Sequence, residues 1–352
     1  MSTTTNDDQA TQLAETHELA ATEMQEILSG QTQTRGETDA VPPGEIRLTD
    51  EFRQRLRELS KLTPGRGLTA IACDWAMIAA CFTAAIMFPH PLVWVCCAIL
   101  IAARQHALLI IMHDASHFRI VASRRWNDRL SNWLLAWPVL VSTEGYRQNH
   151  LAHHSHLNTD DDPDWTRKEG KPEWEFPKTR WALAKLLARD LCGGGFLDML
   201  KAIGDLSSQK PKADEAKPRP WGKLCYYVLL ATAVTVTGMW VPVLLLWYLP
   251  AFTILPVILR LRSIAEHFGL EGEHDLNMSR NFAAGPVERL LFAPHNVGYH
   301  LDHHLFPSVP YYNLPQLHAA LLKHPEYADH AHQNDSLLGL RGKSVLNDVL
   351  PA

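Results

Sequence analysis

Eight histidines fall into three short clusters set between long apolar runs. They are His113 and His117 in HDASH, His150, His153 and His154 in HLAHH, and His300, His303 and His304 in HLDHH. With 19 histidines in the chain, chance supplies roughly 0.06 strings of the form H-x2-H-H; the chain has two. Neutral imidazole ligates iron, copper, nickel and zinc. Eight such side chains exceed what one tetrahedral metal takes, so the pattern implies a two-metal site. Spacings of i, i+3 and i+4 place each cluster on one side of a helix. HExxH is absent, and so is any C-x-x-C pair among the six cysteines. That argues against a zinc peptidase of that type, thiolate zinc, iron–sulfur clusters and a disulfide framework.

A mean hydropathy of −0.14 hides strong segregation. Four apolar stretches, about 68–88, 92–112, 221–240 and 241–260, are each long enough for a hydrocarbon core of about 30 Å. Asn132 to Val141 is apolar but too short to cross and reads as interfacial or re-entrant. Residues 48–62 read as an amphipathic helix capped by Thr49, with Phe52, Leu56 and Leu59 on one face. Trp181 to Leu191 reads as a helix lying on the membrane surface. The expected fold is all-α and integral to the membrane: four transmembrane helices and a cytosolic helical cap carrying the two-metal site. Residues 1–45 are expected as a disordered polar tail, 46–325 as the membrane-embedded catalytic domain, and 326–352 as a C-terminal tail. The turns at 89–91 and near 240 lack Lys and Arg, so both termini, all polar segments and all three clusters are expected on the cytoplasmic side. A net charge of −5 carries no nucleic-acid footprint. The N-terminal residues lack a basic signal-peptide start, so entry through the internal helices is expected.

Asp74 interrupts the first apolar run, and Arg104, Gln105 and His106 interrupt the second. Asp74 and Arg104 lie at membrane depth and are expected to pair. His106 is seven residues before His113, faces the same way, and is a candidate for lining a substrate tunnel.

The strings HDASH (113–117), HLAHHSHLNTDDDPDW (150–165), SIAEHFGL (263–270) and NVGYHLDHHLFPSVPYYNLPQLH (296–318) make the chain resemble the membrane-bound fatty-acid desaturase superfamily, the histidine-box di-iron enzymes. The resemblance covers roughly residues 65–325. It implies two non-haem iron ions and O2-dependent introduction of a C=C bond into an acyl lipid or acyl-like amphiphile. His-Pro-Gly-Gly, ferredoxin cysteines and G-x-G-x-x-G are all missing, so electrons would come from an external ferredoxin- or cytochrome-type donor. The family's further histidine between the fourth span and the last box maps to His267, which would be the ninth ligand. His156 and Asn296 are candidate ligands or supporting groups. Asp114, Asp302 and Asp160 to Asp162 are candidates to accept the second ring N–H of ligating imidazoles. The third box begins with His rather than Gln, unlike the family's front-end desaturases. A hydroxylase or ketolase of a lipid or carotenoid would share the same boxes. A membrane zinc hydrolase and a metal transporter are more distant alternatives. A bacterial inner-membrane location is expected.

Overall fold

Proline at the first turn and a long apolar run start each of the first two long helices. The computed structural model describes residues 46, 48–208, 220–270, 272 and 274–350. The expected tail, 1–45, and nearly all of the Lys- and Pro-rich connector 211–220 lie outside the described residues. Helix α1, Asp50–Leu59, begins where Thr49 Oγ1 accepts the Phe52 N–H at 3.1 Å, and it buries Phe52, Leu56 and Leu59 as expected. Helices α2, Pro64–Met87, and α3, Pro91–Ser116, follow. Among the described residues three helices are long and apolar enough to cross a membrane: α2, α3 and the segment Trp240–His267.

A fourth helix, Pro220–Thr237, lies where the third span was expected but does not meet that measure. Its first turn, Pro220 to Lys223, is polar and shortens the apolar run. We number the helices between α3 and Trp240 as α4, Arg124–Ser131, α5, Thr143–Ser155, α6, Arg180–Leu191, α7, Gly194–Ser208, and α8, Pro220–Thr237. The segment Trp240–His267 is α9. It contains a π-turn at Leu244–Tyr248 and a break at Thr253, beside Pro250 and Pro256. Such adjustments absorb prolines in a packed helix. It also runs seven residues past the expected end at Arg260, as far as His267.

Helix α3 is the hub. From Ile101 to Ser116 almost every residue is buried, against α2, α5, α9 and the segment between α4 and α5. That segment, Asn132–Val139, is a π-turn followed by a 3-10 turn, with Leu135, Ala136 and Trp137 buried. Its carbonyls are met by side chains: Trp75 Nε1 donates to Leu134 O at 3.0 Å, Tyr227 Oη to Trp137 O at 3.0 Å, and Trp247 Nε1 to Pro138 O at 2.9 Å. Non-helical backbone is tolerated among membrane helices when its polar groups are satisfied in this way.

The expected Asp74–Arg104 pair is present. Arg104 Nη1 lies 3.0 Å from Asp74 Oδ1, both side chains are buried, and His295 Nε2 meets the other carboxylate oxygen at 2.7 Å. Beyond the long helices lie α10, Pro286–Leu291, α11, His300–Leu305, α12, Leu314–Leu321, α13, Pro325–His330, and α14, Val345–Val349. The strands β1, Asn281–Phe282, and β2, Gln333–Asn334, pair in parallel. Residues 326–350 therefore do not form a tail. Tyr327 and Val349 are fully buried, and the Asp348 carboxylate lies 3.3 Å from Arg280 Nη1.

Candidate metal centre

Nine imidazoles from α3 and its C-cap, α5, α9 and α11 gather as two groups. One holds His113, His117, His150, His154 and His303; the other holds His153, His267, His300 and His304. Within each group one ring nitrogen per residue lies within 4.8 Å of all the others. These are the eight box histidines together with His267, brought in by the continuation of α9.

Helix geometry explains the division. Positions i+3 and i+4 project to either side of position i. On α5, His150 and His154 enter the five-membered group and His153 the other; on α11, His300 and His304 enter the four-membered group and His303 the other. Helix α3 supplies His113 and His117 to the first group alone, and α9 supplies His267 to the second alone.

The spacing fits metal ligation. Nε2···Nε2 separations are 2.9 Å for His117–His150, 3.0 Å for His150–His154, 3.1 Å for His154–His303, 2.8 Å for His267–His300 and 3.0 Å for His300–His304. Two nitrogens at right angles, each about 2.1 Å from an ion, stand about 3.0 Å apart, against about 3.4 Å for tetrahedral ligands. A five- or six-coordinate ion suits this set better than tetrahedral zinc. His113 Nε2 is buried without a hydrogen-bond partner, leaving its lone pair for such an ion. Burial, reinforced by Arg119 and Arg147, holds His117 neutral down to about 3. Burial and then the neighbouring imidazoles lower His150, His154, His300, His303 and His304 in the same direction. Neutral imidazole is the ligating form.

Supporting groups fix the rings. Fully buried Asp162 accepts His153 Nδ1–H at 2.8 Å. Glu266 Oε1 lies 3.5 Å from His300 Nδ1 and 2.6 Å from Arg262 Nε. The Tyr146 ring stacks on His150 with centroids 5.1 Å apart. Tyr146, Arg262 and Glu266 escaped the sequence reading; the i, i+4 spacing of Arg262 and Glu266, directly before His267, was the available signal.

The remaining candidates stand apart from both groups. His156 is exposed beyond the end of α5, and Asp160 and Asp161 are exposed. Asn296 has a left-handed backbone, φ 59, and its amide donates to Tyr311 O at 3.1 Å. Asp114 accepts Tyr311 N–H at 2.8 Å and is 3.8 Å from His113 Nδ1, too far for a hydrogen bond. Asp302 binds His318 Nδ1 at 2.9 Å, Asn281 Nδ2 at 2.8 Å and Tyr327 Oη, anchoring α11 to the C-terminal segment instead of supporting a box imidazole. His106 is fully buried, and neither ring nitrogen has a partner. Gly298, two residues before His300, is needed for close approach: a Cβ there would stand 2.3 Å from Phe282 O.

A small apolar cleft is lined by Leu109 of α3, Pro138 and Val141 after the π-turn, and Ala251, Leu255 and Leu259 of α9.

Known proteins resemble this chain in sequence. The sequence pattern of the Fatty acid desaturase family matches residues 89–334, which include every histidine of both groups. The chain is 28% identical to the dihydrorhizobitoxine desaturase of Bradyrhizobium elkanii, over 78% of this chain and 81% of that protein. It is 31% identical to the sphingolipid delta(4)-desaturase/C4-monooxygenase of Homo sapiens, over 70% of each. It is 29% identical to the beta-carotene ketolase of Paracoccus sp. (strain PC1), over 64% of this chain and 80% of the ketolase. With that match and the histidine centre together, the chain belongs to the fatty acid desaturase family and is an oxidoreductase.

Proposed function

We propose that this protein is an O2-dependent desaturase of an acyl lipid or acyl-like amphiphile, working through two non-haem irons. The observation that carries the reading is the division of nine imidazoles into groups of five and four. His113, His117, His150, His154 and His303 would hold one iron, and His153, His267, His300 and His304 the other. Such a pair supplies the means to couple O2 reduction to attack on an unactivated C–H bond. Overall, two hydrogens leave adjacent carbons and, with two electrons and two protons from outside, O2 becomes two waters.

The chain's own residues do the positioning. Asp162 holds the His153 ring, and the Glu266–Arg262 pair stands beside His300. The apolar cleft lined by Leu109, Leu255 and Leu259 is assigned to the alkyl chain, and His106, two helical turns before His113 on α3, is assigned to the substrate tunnel. Helices α2, α3, α8 and α9 are assigned as four spans, with the centre and both termini facing the cytoplasm of a bacterial inner membrane. Support comes from the lack of Lys and Arg in both short turns. A separate ferredoxin- or cytochrome-type protein would deliver the electrons; a relative in Nostoc is named as a ferredoxin-type acyl-lipid desaturase.

Oxygen insertion on the same centre is the second reading, favoured by the monooxygenase and ketolase names of two relatives. Mass spectrometry of lipids and metabolites separates the two, comparing cells making the wild type with cells making His303→Ala/His304→Ala. A product lighter than its precursor by two hydrogens, lost in the variant, is expected. A product heavier by one oxygen would replace desaturation with hydroxylation. Purified protein without iron would overturn both.

A further inference from the structure

Arg147 lies on α5, three residues before His150 and seven before His154, and its side chain is only 14% exposed. Nε donates to Ser116 O at 2.8 Å, and Nη2 donates to Ala115 O at 3.1 Å. The rest of the fork meets Asp128 of α4: Nη2 donates to Oδ1 at 2.5 Å and Nη1 to Oδ2 at 3.2 Å. The Phe118 ring covers the guanidinium, with its centroid 3.9 Å from Cζ.

The two carbonyls are the last of α3. A helix leaves its final carbonyls without intrahelical partners, and their partial negative charge favours a cation. The chain turns sharply beyond them. His117 leaves helical geometry at φ −93, ψ 11, and Phe118 is left-handed, φ 58. Asn127 Nδ2 shares Ala115 O at 2.9 Å, and Asn127 Oδ1 accepts Ile120 N–H at 3.1 Å. Asn127 belongs to α4, so Arg147 is the side chain among these that reaches the end of α3 from α5. Its planar fork ties the two helices together while Asp128 fixes its direction. Lysine, with one nitrogen on a flexible stem, does not reproduce that fork.

This junction supplies four of the five imidazoles of one metal group. Helix α3 with its C-cap gives His113 and His117, and α5 gives His150 and His154. Ala115 and Ser116, which Arg147 grips, lie between the two α3 ligands in sequence. Ligands must be held to within about 0.5 Å to bind a metal well. His153 of α5 serves the other group, but Asp162 holds its ring and its companions come from α9 and α11.

We propose that Arg147 is the positioning residue of the five-histidine group. It sets the gap between the end of α3 and α5, and so decides how firmly that group holds its metal, while the four-histidine group is left to Asp162 and α9. The proposal rests on the two-metal reading.

The test reads metal binding and needs no turnover. Full-length protein in nanodiscs is loaded with iron, and metal analysis is combined with stopped-flow release to a chelator. Wild type is expected to hold two irons. Arg147→Lys is expected to keep one at the wild-type release rate and to hold the other about 10–100-fold more weakly. Paired variants identify the loosened site. Arg147→Lys should add little to His117→Ala, which already lacks a ligand of the five-histidine group, and should leave His267→Ala without any firmly held iron. A purely structural tie would lower thermal stability with both irons kept, or loosen both equally. Either result overturns the proposal, as does loosening confined to the four-histidine group. If Arg147→Lys does not fold, Asp128→Asn decides, because it keeps the guanidinium and removes the charge that aims it. The same site should loosen, and wild-type release of both irons overturns the proposal. Wild-type protein that binds fewer than two irons would instead overturn the two-metal reading, and this inference with it.

Discussion

Asp162→Asn should empty one metal site and spare the other. The Asp162 carboxylate is fully buried and takes four hydrogen bonds. Oδ2 accepts His153 Nδ1–H at 2.8 Å and Asn158 N–H at 3.1 Å; Oδ1 accepts the N–H groups of Asp164 at 2.8 Å and Trp165 at 3.2 Å. Burial alone would raise its pKa, but the His153 and backbone hydrogen bonds outweigh it and hold the carboxyl below its ordinary range. Asparagine keeps the shape but places an NH2 where one oxygen was. Whichever way the amide turns, two donors face a donor. Each orphaned buried donor costs about 1–3 kcal/mol, so the total is about 2–6 kcal/mol. With the NH2 toward His153 the imidazole loses the bond that fixes its tautomer, and with the oxygen toward it that bond loses the carboxylate's charge. Loss of such a partner typically weakens metal binding about 10–100-fold. His153 belongs only to the four-histidine group. Iron per chain should therefore fall from two toward one, and chelator should strip the weakened site fast while the other is released at the wild-type rate. Asp160→Asn, at an exposed position, serves as the control and should change nothing. Two irons retained in Asp162→Asn, with unchanged release, would refute the reasoning.

Three further outcomes are expected. Gly298→Ala brings a Cβ to 2.3 Å from Phe282 O; relief requires β1 or the start of α11 to move, costing about 1–3 kcal/mol, and thermal unfolding and iron content should both fall. Gly285→Ala, where the nearest atom is Arg341 Nη2 at 3.4 Å, should leave both nearly unchanged. Removing one member of the buried Asp74–Arg104 pair should cost about 3–5 kcal/mol, and Asp74→Asn/Arg104→Gln should be no worse than either single change; additive losses in chemical unfolding would show that the pair does not act as a unit. In acid, His117 stays neutral to about 3 in the fold, whereas in the unfolded chain it protonates near its ordinary value of about 6.5. The unfolded state then binds more protons, so stability should decline as pH falls from about 6.5 toward 3, and denaturant midpoints of metal-free protein measured across that range check the sign.

The sequence made the nine clustered histidines legible but not their division into two groups. Box spacing put His150, His153 and His154 on one side of a helix, which is how α5 presents them. Which ring goes to which group depends on where α3 and α9 cross α5 and α11, and no local pattern carries that. Asp74 and Arg104 were legible as a pair because charges at membrane depth require partners. Their third member, His295, comes from a turn with a left-handed backbone, φ 50, far along the chain. Asn296 looked eligible from its place four residues before His300, but it too has a left-handed backbone, and its amide is spent on Tyr311. The segment after 325 reads as a tail because it is polar and lacks long periodicity. Its worth lies in a few tertiary anchors, Tyr327 on Asp302 and Asp348 on Arg280, that short polar stretches do not announce. Of the candidate carboxylates only Asp162 meets a box imidazole within hydrogen-bond distance, and the run Asp160 to Asp162 gave no local reason to prefer it.

The division of labour among the four site-bearing helices has a consequence for specificity. Helices α5 and α11 each send imidazoles to both groups, so they act as common walls whose displacement disturbs both sites at once. Helices α3 and α9 each serve one group alone, and both arrive from apolar runs long enough to cross a membrane. The cleft between them is bounded by Leu109 on one side and Leu255 and Leu259 on the other. In the proposed reaction, the helices that set each iron's position therefore also set the path of the chain toward it. Residues of α9 before Arg262 can change length and shape along that path without touching a ligand. The π-turn at Leu244–Tyr248 and the break at Thr253 lie within that stretch. A fixed nitrogen cage joined to an adjustable apolar wall is a physical arrangement in which one family can act on chains as different as those named in its members.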